Sequence, residues 1–131
     1  MANRGTDWLA QARRDLAHAE RAHQAGDYEW AAFAAQQAAE KAVKGLLFGL
    51  GGEGWGHSVW RLLSGLAARL EVPEALLDAA RRLDRHYILA RYPNGFPAGL
   101  PGEYYTERDA AEAIVDARAI VEFCERAFPR P

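Results

Sequence analysis

The sequence predicts an all-α fold, an up-and-down bundle of four to five helices forming one domain over residues 1–131. Three observations lead there. Apolar residues recur at spacings of three and four, no run alternates apolar and polar as a half-buried strand would, and glycine or proline punctuates the periodic stretches. Half the residues are apolar and about a quarter are charged, the balance of a globular chain long enough to bury one core.

Thr6 and Asp7 are cap-type residues ahead of Trp8, Leu9, Ala12, Leu16, Ala19 and His23, an apolar line that ends at Gly26. Gly26 followed by Asp27 reads as a helix stop and an immediate N-cap, so the first two helices form a tight antiparallel hairpin. The second helix, over residues 27–50, organises the rest. Ala32, Ala35, Ala39, Val43, Leu46 and Leu50 share one face, while Trp30, Phe33 and Phe48 lie opposite. A helix apolar on two sides needs cover on both. Five glycines within residues 49–56 then make a flexible turn, and Ser58 caps a short third helix carrying Val59, Leu62, Leu63, Leu66 and Leu70. The spacing Gly49-x-Gly51-x-x-Gly54 matches a dinucleotide fingerprint only in letters, because it follows a helix instead of a strand.

Pro73 opens the fourth helix as a first-turn residue, and Leu76, Ala80, Leu83, Tyr87 and Ala90 form its buried side. Arg81, Arg82, Arg85 and His86 make a basic band elsewhere on it. Arg91 falls among the apolar residues, so it needs a partner, and Glu40 is the expected one. Residues 92–105 read as a fourteen-residue loop with three prolines and three glycines, anchored through Tyr92, Phe96, Tyr104 and Tyr105. Thr106 and Asp109 form a capping box for a last long helix whose core line is Ala110, Ala113, Ile114, Ala117, Val121, Cys124 and Phe128.

Function is constrained more by exclusion than by motif. A net charge of −2 gives no global attraction to nucleic acid or to an anionic membrane. Cys124 is the only cysteine and cannot form an intrachain disulfide, and neither a signal peptide nor an apolar run of membrane-spanning length is present, so a soluble cytoplasmic protein is expected. His18 and His23 do not share a helix face, and no metal site or cofactor is expected. One polar stripe stands out. Gln37, Glu40, Lys41 and Lys44 lie within one quadrant of the second helix between Phe33 and Phe48, and these two are the only lysines beside fourteen arginines. Such ammonium groups suit a phosphate or carboxylate partner, whereas an ordinary solvated Glu40–Lys44 pair is the plainer meaning. Arg81 and His86 are the one acid–base candidate, yet residues five apart diverge by about 140° around a helix and would meet only across a dimer.

With these pieces placed, the chain resembles the HEPN family, the higher eukaryote and prokaryote nucleotide-binding domain. The resemblance runs from Trp8 to about Phe128. It rests on the FAAQQAAEKAVK run from Phe33 to Lys44, on His57-Ser58, on Asp84-Arg-His-Tyr87 leading into Arg91-Tyr-Pro93, and on Tyr104-Tyr105. It implies a helical bundle, commonly dimeric, that often pairs with a minimal nucleotidyltransferase as a toxin and antitoxin. One branch of the family consists of metal-independent ribonucleases with Arg, four to six residues and His near the start of the last core helix. Counting on from Arg108, no histidine is reached, and Arg81 to His86 is the only match, one helix early. Three functions follow as expectations. The first is a homodimeric binding module that takes an ATP-like nucleotide or a nucleotidyltransferase partner through Gln37, Glu40, Lys41, Lys44, Arg91 and Tyr92. The second is a ribonuclease that acts on RNA with Arg81 and His86. The third is a purely structural dimerisation domain.

Overall fold

Two long helices and a three-residue connection set the frame. A computed structural model describes residues 3–130, so Met1, Ala2 and Pro131, the ends of the predicted domain, lie outside the described residues. Helix α1 spans Gly5–Gln24 and α2 spans Tyr28–Gly49, joined through Gly26, whose φ of 83° is open to glycine without strain. The two run antiparallel, since Gly5 abuts Gly45, Asp15 pairs with Lys41 and the His23 ring meets Tyr28. Helix α1 starts one residue before the expected Thr6 cap. The Asn3 side-chain oxygen accepts from the Gly5 amide at 2.8 Å and takes over the capping role. Asp27 occupies the N-cap of α2 without a side-chain capping bond.

Helix α2 is the centre of the bundle. It packs on α1, on α3 (Val59–Leu66), on α4 (Glu74–Asp84), on the single turn α5 (His86–Leu89) and on the last helix α7 (Glu107–Ala127). Ala31, Ala32, Ala34, Ala35, Ala38, Ala39 and Ala42 are all buried, and their small side chains let these neighbours approach one axis. Leu16, Leu46, Leu63, Leu66, Leu83 and Ile120 fill the spaces between, each contributing on the order of 1.5–3 kcal/mol of burial. Five helices of eight residues or more, with no strand among the described residues, form the expected all-α bundle. No described helix is long and apolar enough to cross a membrane.

The predicted fourth helix is divided. Pro73 is its N-cap, not a first-turn residue, and α4 stops at Asp84 before α5 continues nearly in line, with Arg85 at φ −62° and ψ −25°. That is a tightened turn, and the Asp84 carboxylate at its start serves a different helix. Asp84 accepts from the Ser58 hydroxyl and the Val59 amide, both at 2.7 Å, and from the Trp60 amide at 3.1 Å. Ser58 accepts in turn from the Arg61 amide, as its capping role requires.

The 92–105 segment is pinned. It contains a 3-10 turn at Pro93–Gly95 and a helical turn α6 at Pro101–Tyr104, with Phe96 and Tyr104 stacked at 4.3 Å and the Tyr104 hydroxyl donating to the Ala98 carbonyl. The Thr106–Asp109 capping box opens α7 with both reciprocal bonds formed. Cys124 is core, and burial pushes its thiol up to about 12.

Candidate functional site

The polar stripe of α2 closes on a buried carboxylate instead of facing open solvent. Glu40 is 4 % exposed and is surrounded by donors. Lys44 Nζ donates to it at 3.0 Å, His57 Nδ1 lies 3.2 Å from it, and the Gln36 and Gln37 amides approach at 3.3 and 3.4 Å. Gln36, fully buried, also donates to the His57 carbonyl at 2.9 Å and so ties the glycine-rich turn to α2. Such a cluster is stable only because each charge and each dipole has a counterpart. Lys41 belongs elsewhere: its ammonium pairs with Asp15 of α1 at 2.6 Å. The stripe therefore splits, with Lys41 serving the α1–α2 seam and Lys44 the Glu40 cluster.

The expected Arg91–Glu40 pair does not form. Glu40 is already matched by Lys44 and His57, and Arg91 lies on the far side of an aromatic group. Arg91 Nε donates to the Tyr87 carbonyl at 2.7 Å, and the guanidinium sits 4.4 Å from the Phe33 ring centre, 4.6 Å from that of Tyr87 and 5.2 Å from that of Tyr92. Planar, weakly hydrated guanidinium groups favour such faces. No described carboxylate pairs with it. The two groups are nevertheless linked, because the His57 ring stacks on Tyr87 at 4.6 Å and 15°. The buried Glu40–Lys44 pair is thus connected through His57 and Tyr87 to Arg91 and half-exposed Tyr92, with Phe33 also against Tyr87. Beside it, Trp30, Phe33, Gln37, Lys41, Asp15 and His18 line a shallow cavity of about 290 Å³ between α1 and α2.

Arg81 and His86 are not brought together in the chain. Arg81 pairs with Asp78 at 2.8 Å and lies over Trp60, whereas the His86 ring turns to the Tyr105 hydroxyl, 2.7 Å from its Nδ1. Arg82 is likewise committed, forking onto Asp116 of α7. Burial lowers the His86 pKa from 6.5, with Arg85 adding to the effect and Asp109 and Asp116 opposing it. The unfolded chain therefore binds a proton more readily than the folded one. This contribution to stability is complete above 6.5 and is lost as pH falls through 6.5 towards the lower folded value. Urea unfolding at about pH 7.5 and about pH 5.5 is expected to show a smaller acid-side loss in His86→Asn than in the wild type. An equal loss in both would assign the pH dependence to other groups.

Sequence reasoning gives Tyr87 only a place on the buried side of the fourth helix, uses His57 and Asp84 only as parts of family motifs, and gives none of these, nor Gln36, a place in the site. The adjacency of His57 to the cap residue Ser58, and the Gln36–Glu40 spacing of four, were the available signals. What they lacked was the long-range pairing that puts residues 57, 84, 87 and 91 against α2.

The chain is 48 % identical to TT1696 from Thermus thermophilus, whose crystal structure superposes with a TM-score of 0.94 over 96 % of this chain and 99 % of that one. An archaeal HEPN homologue, ST0689, is 43 % identical with a TM-score of 0.83 over 98 % of this chain and all of that one. A HEPN domain protein from Thermotoga maritima, TM0613, is 38 % identical with a TM-score of 0.76, covering 92 % and 95 % of the two chains. A more distant relative, 27 % identical over 124 residues, is a Methanocaldococcus jannaschii protein named "Putative toxin MJ1304"; the match spans 88 % of this chain and 82 % of that protein. The HEPN domain model matches residues 6–127, and with it the chain belongs to the HEPN family.

Proposed function

We propose that this chain is a toxin-type HEPN module that acts by binding, with a nucleotide as its small ligand and a minimal nucleotidyltransferase as its protein partner. Arg91 carries the reading. Its guanidinium rests on three aromatic rings with no described carboxylate to neutralise it, so its charge is open to a phosphate, and Tyr92 beside it offers a face on which a base can stack. The lysines act one step behind, through Asp15 and Glu40, keeping the floor of the site in place. The Methanocaldococcus jannaschii relative, by its name a toxin, supports the module type, and the family resemblance supports the nucleotidyltransferase partner. A homodimer belongs to the same proposal, because Trp30, Ile88 and Tyr92 leave exposed apolar surface around the site for a second copy to cover.

The test is thermal unfolding with ATP. A ligand that binds only the folded chain stabilises it by about 2.7 kcal/mol at a hundredfold excess over its dissociation constant, a rise of several degrees. We expect that rise in the wild type and its loss in Arg91→Gln, with helical circular dichroism unchanged. No rise with any nucleotide would turn the reading towards RNA or a protein as the sole partner.

A further inference from the structure

We infer that His57 is the second ligand contact of this site, a hydrogen-bond acceptor for a hydroxyl or amine of the nucleotide whose phosphate lies on Arg91, and that Glu40 is the residue that positions it. The inference rests on the nucleotide reading above and adds to it a residue and a chemistry. Its basis is the environment of the imidazole. Nδ1 lies 3.2 and 3.3 Å from the two oxygens of Glu40, whose side chain is 5 % exposed and already accepts from Lys44. A carboxylate held by an ammonium can only accept, so Nδ1 carries the hydrogen and, in the neutral ring, Nε2 is the free nitrogen. The ring itself is 55 % exposed, which leaves that nitrogen accessible at the surface.

Two further contacts fix where the ring sits. Its face lies on Tyr87 at 4.6 Å, and the Gln36 side chain holds the backbone carbonyl of the same residue. Tyr87 is also one of the rings beneath Arg91, whose guanidinium is 4.6 Å from its centre. The imidazole and the guanidinium thus flank one ring, each 4.6 Å from its centre, so no more than about 9 Å separates them, a span that the phosphate and ribose of one nucleotide can bridge around the ring edge. A ligand that is anionic throughout satisfies only Arg91. A phosphate ester bearing a donor, such as the ribose hydroxyls or an exocyclic amine of a nucleotide, satisfies both. The polar partners of His57 thus give the site a means of distinguishing a nucleotide from a bare polyphosphate.

The experiment has two arms on the full chain. The first reads the histidine side-chain nitrogens by two-bond ¹H–¹⁵N correlation at alkaline pH without ligand. His57 is expected as the Nδ1–H tautomer in the wild type. In Glu40→Gln the amide oxygen is expected to stay with Lys44 and the NH₂ group to turn to Nδ1, inverting the tautomer. The second arm compares thermal shifts with ATP and with inorganic triphosphate. His57→Ala and Glu40→Gln should lose most of the ATP shift and keep the triphosphate shift, while Arg91→Gln should lose both. His57→Ala changes an exposed side chain and covers the case in which Glu40→Gln folds poorly. An Nε2–H tautomer in the wild type would overturn the inference, as would an ATP shift that survives His57→Ala. Absence of any ATP shift in the wild type would overturn it together with the nucleotide reading, which separates that failure from a failure of His57 alone.

Discussion

Glu40→Ala is expected to lower the stability of the fold by about 3–5 kcal/mol, because it leaves a buried ammonium without its counter-charge. The Lys44 side chain is 11 % exposed and its Nζ has Glu40 as its acceptor, so it can neither reach water freely nor exchange partners. His57 and the two glutamines lose an acceptor in the same step. Urea unfolding monitored by circular dichroism gives the number. The double variant Glu40→Met/Lys44→Met removes both charges and should regain most of the loss, since apolar groups of similar volume replace a buried pair at little cost. A single-variant loss below about 1 kcal/mol would mean that the stripe behaves as a solvated ion pair, for which that size is usual.

Gly45→Ala is the second large effect, and its sign opposes helix propensity. Within an isolated helix alanine is favoured over glycine by about 1 kcal/mol. Here the added Cβ would lie 2.9 Å from the Gly5 carbonyl oxygen, 3.0 Å from Trp8 Cβ and 3.2 Å from Leu9 Cγ. The nearest of these is backbone and cannot rotate away, so α1 must retreat from α2 along the seam where Asp15 and Lys41 also pair. We expect a loss of about 1–3 kcal/mol, the usual range for overpacking. Gly65→Ala is the control. It sits inside α3, where an added Cβ would meet nothing within 4 Å, and should stabilise by about 0.5–1 kcal/mol. If both alanines stabilise, close packing at Gly45 is not what selects glycine there.

The fold was legible where local chemistry decides it. The Gly26–Asp27 connection, the Ser58 cap and the Thr106–Asp109 box each depend on residues a few positions apart, and each formed as the spacing required. The site was legible only in part. Its members on α2 can be grouped by helical angle, but that angle sets Gln37 inside the stripe and Gln36 just beyond its edge, and does not show that Gln36 is the fully buried one. The sequence marks Arg91 as a cation in need of a partner, and Glu40 is the expected one because carboxylates are what cations usually find. The chain gives it three ring faces instead. The contact of Asp84 at the α4–α5 division escaped for the same reason, since it joins a carboxylate to amides some 24 residues away in sequence.

That carboxylate has a consequence for the order of assembly. An eight-residue helix is too short to hold itself together in water. The first turn of α3 is stabilised by Asp84, an acceptor that arrives with another helix, so the orphan amides of Val59 and Trp60 stay hydrated until α4 docks. Helices α3 and α4 are therefore expected to open and close together. His57 precedes that unit in the chain and Tyr87 and Arg91 follow it, its two chain ends meeting where Ser58 bonds Asp84 and His57 stacks on Tyr87. A molecule that bridged His57 and Arg91 would clasp the two ends of the same foldon, and its occupancy would be felt as slower opening of α3 and α4 long before any change in the α1–α2 hairpin.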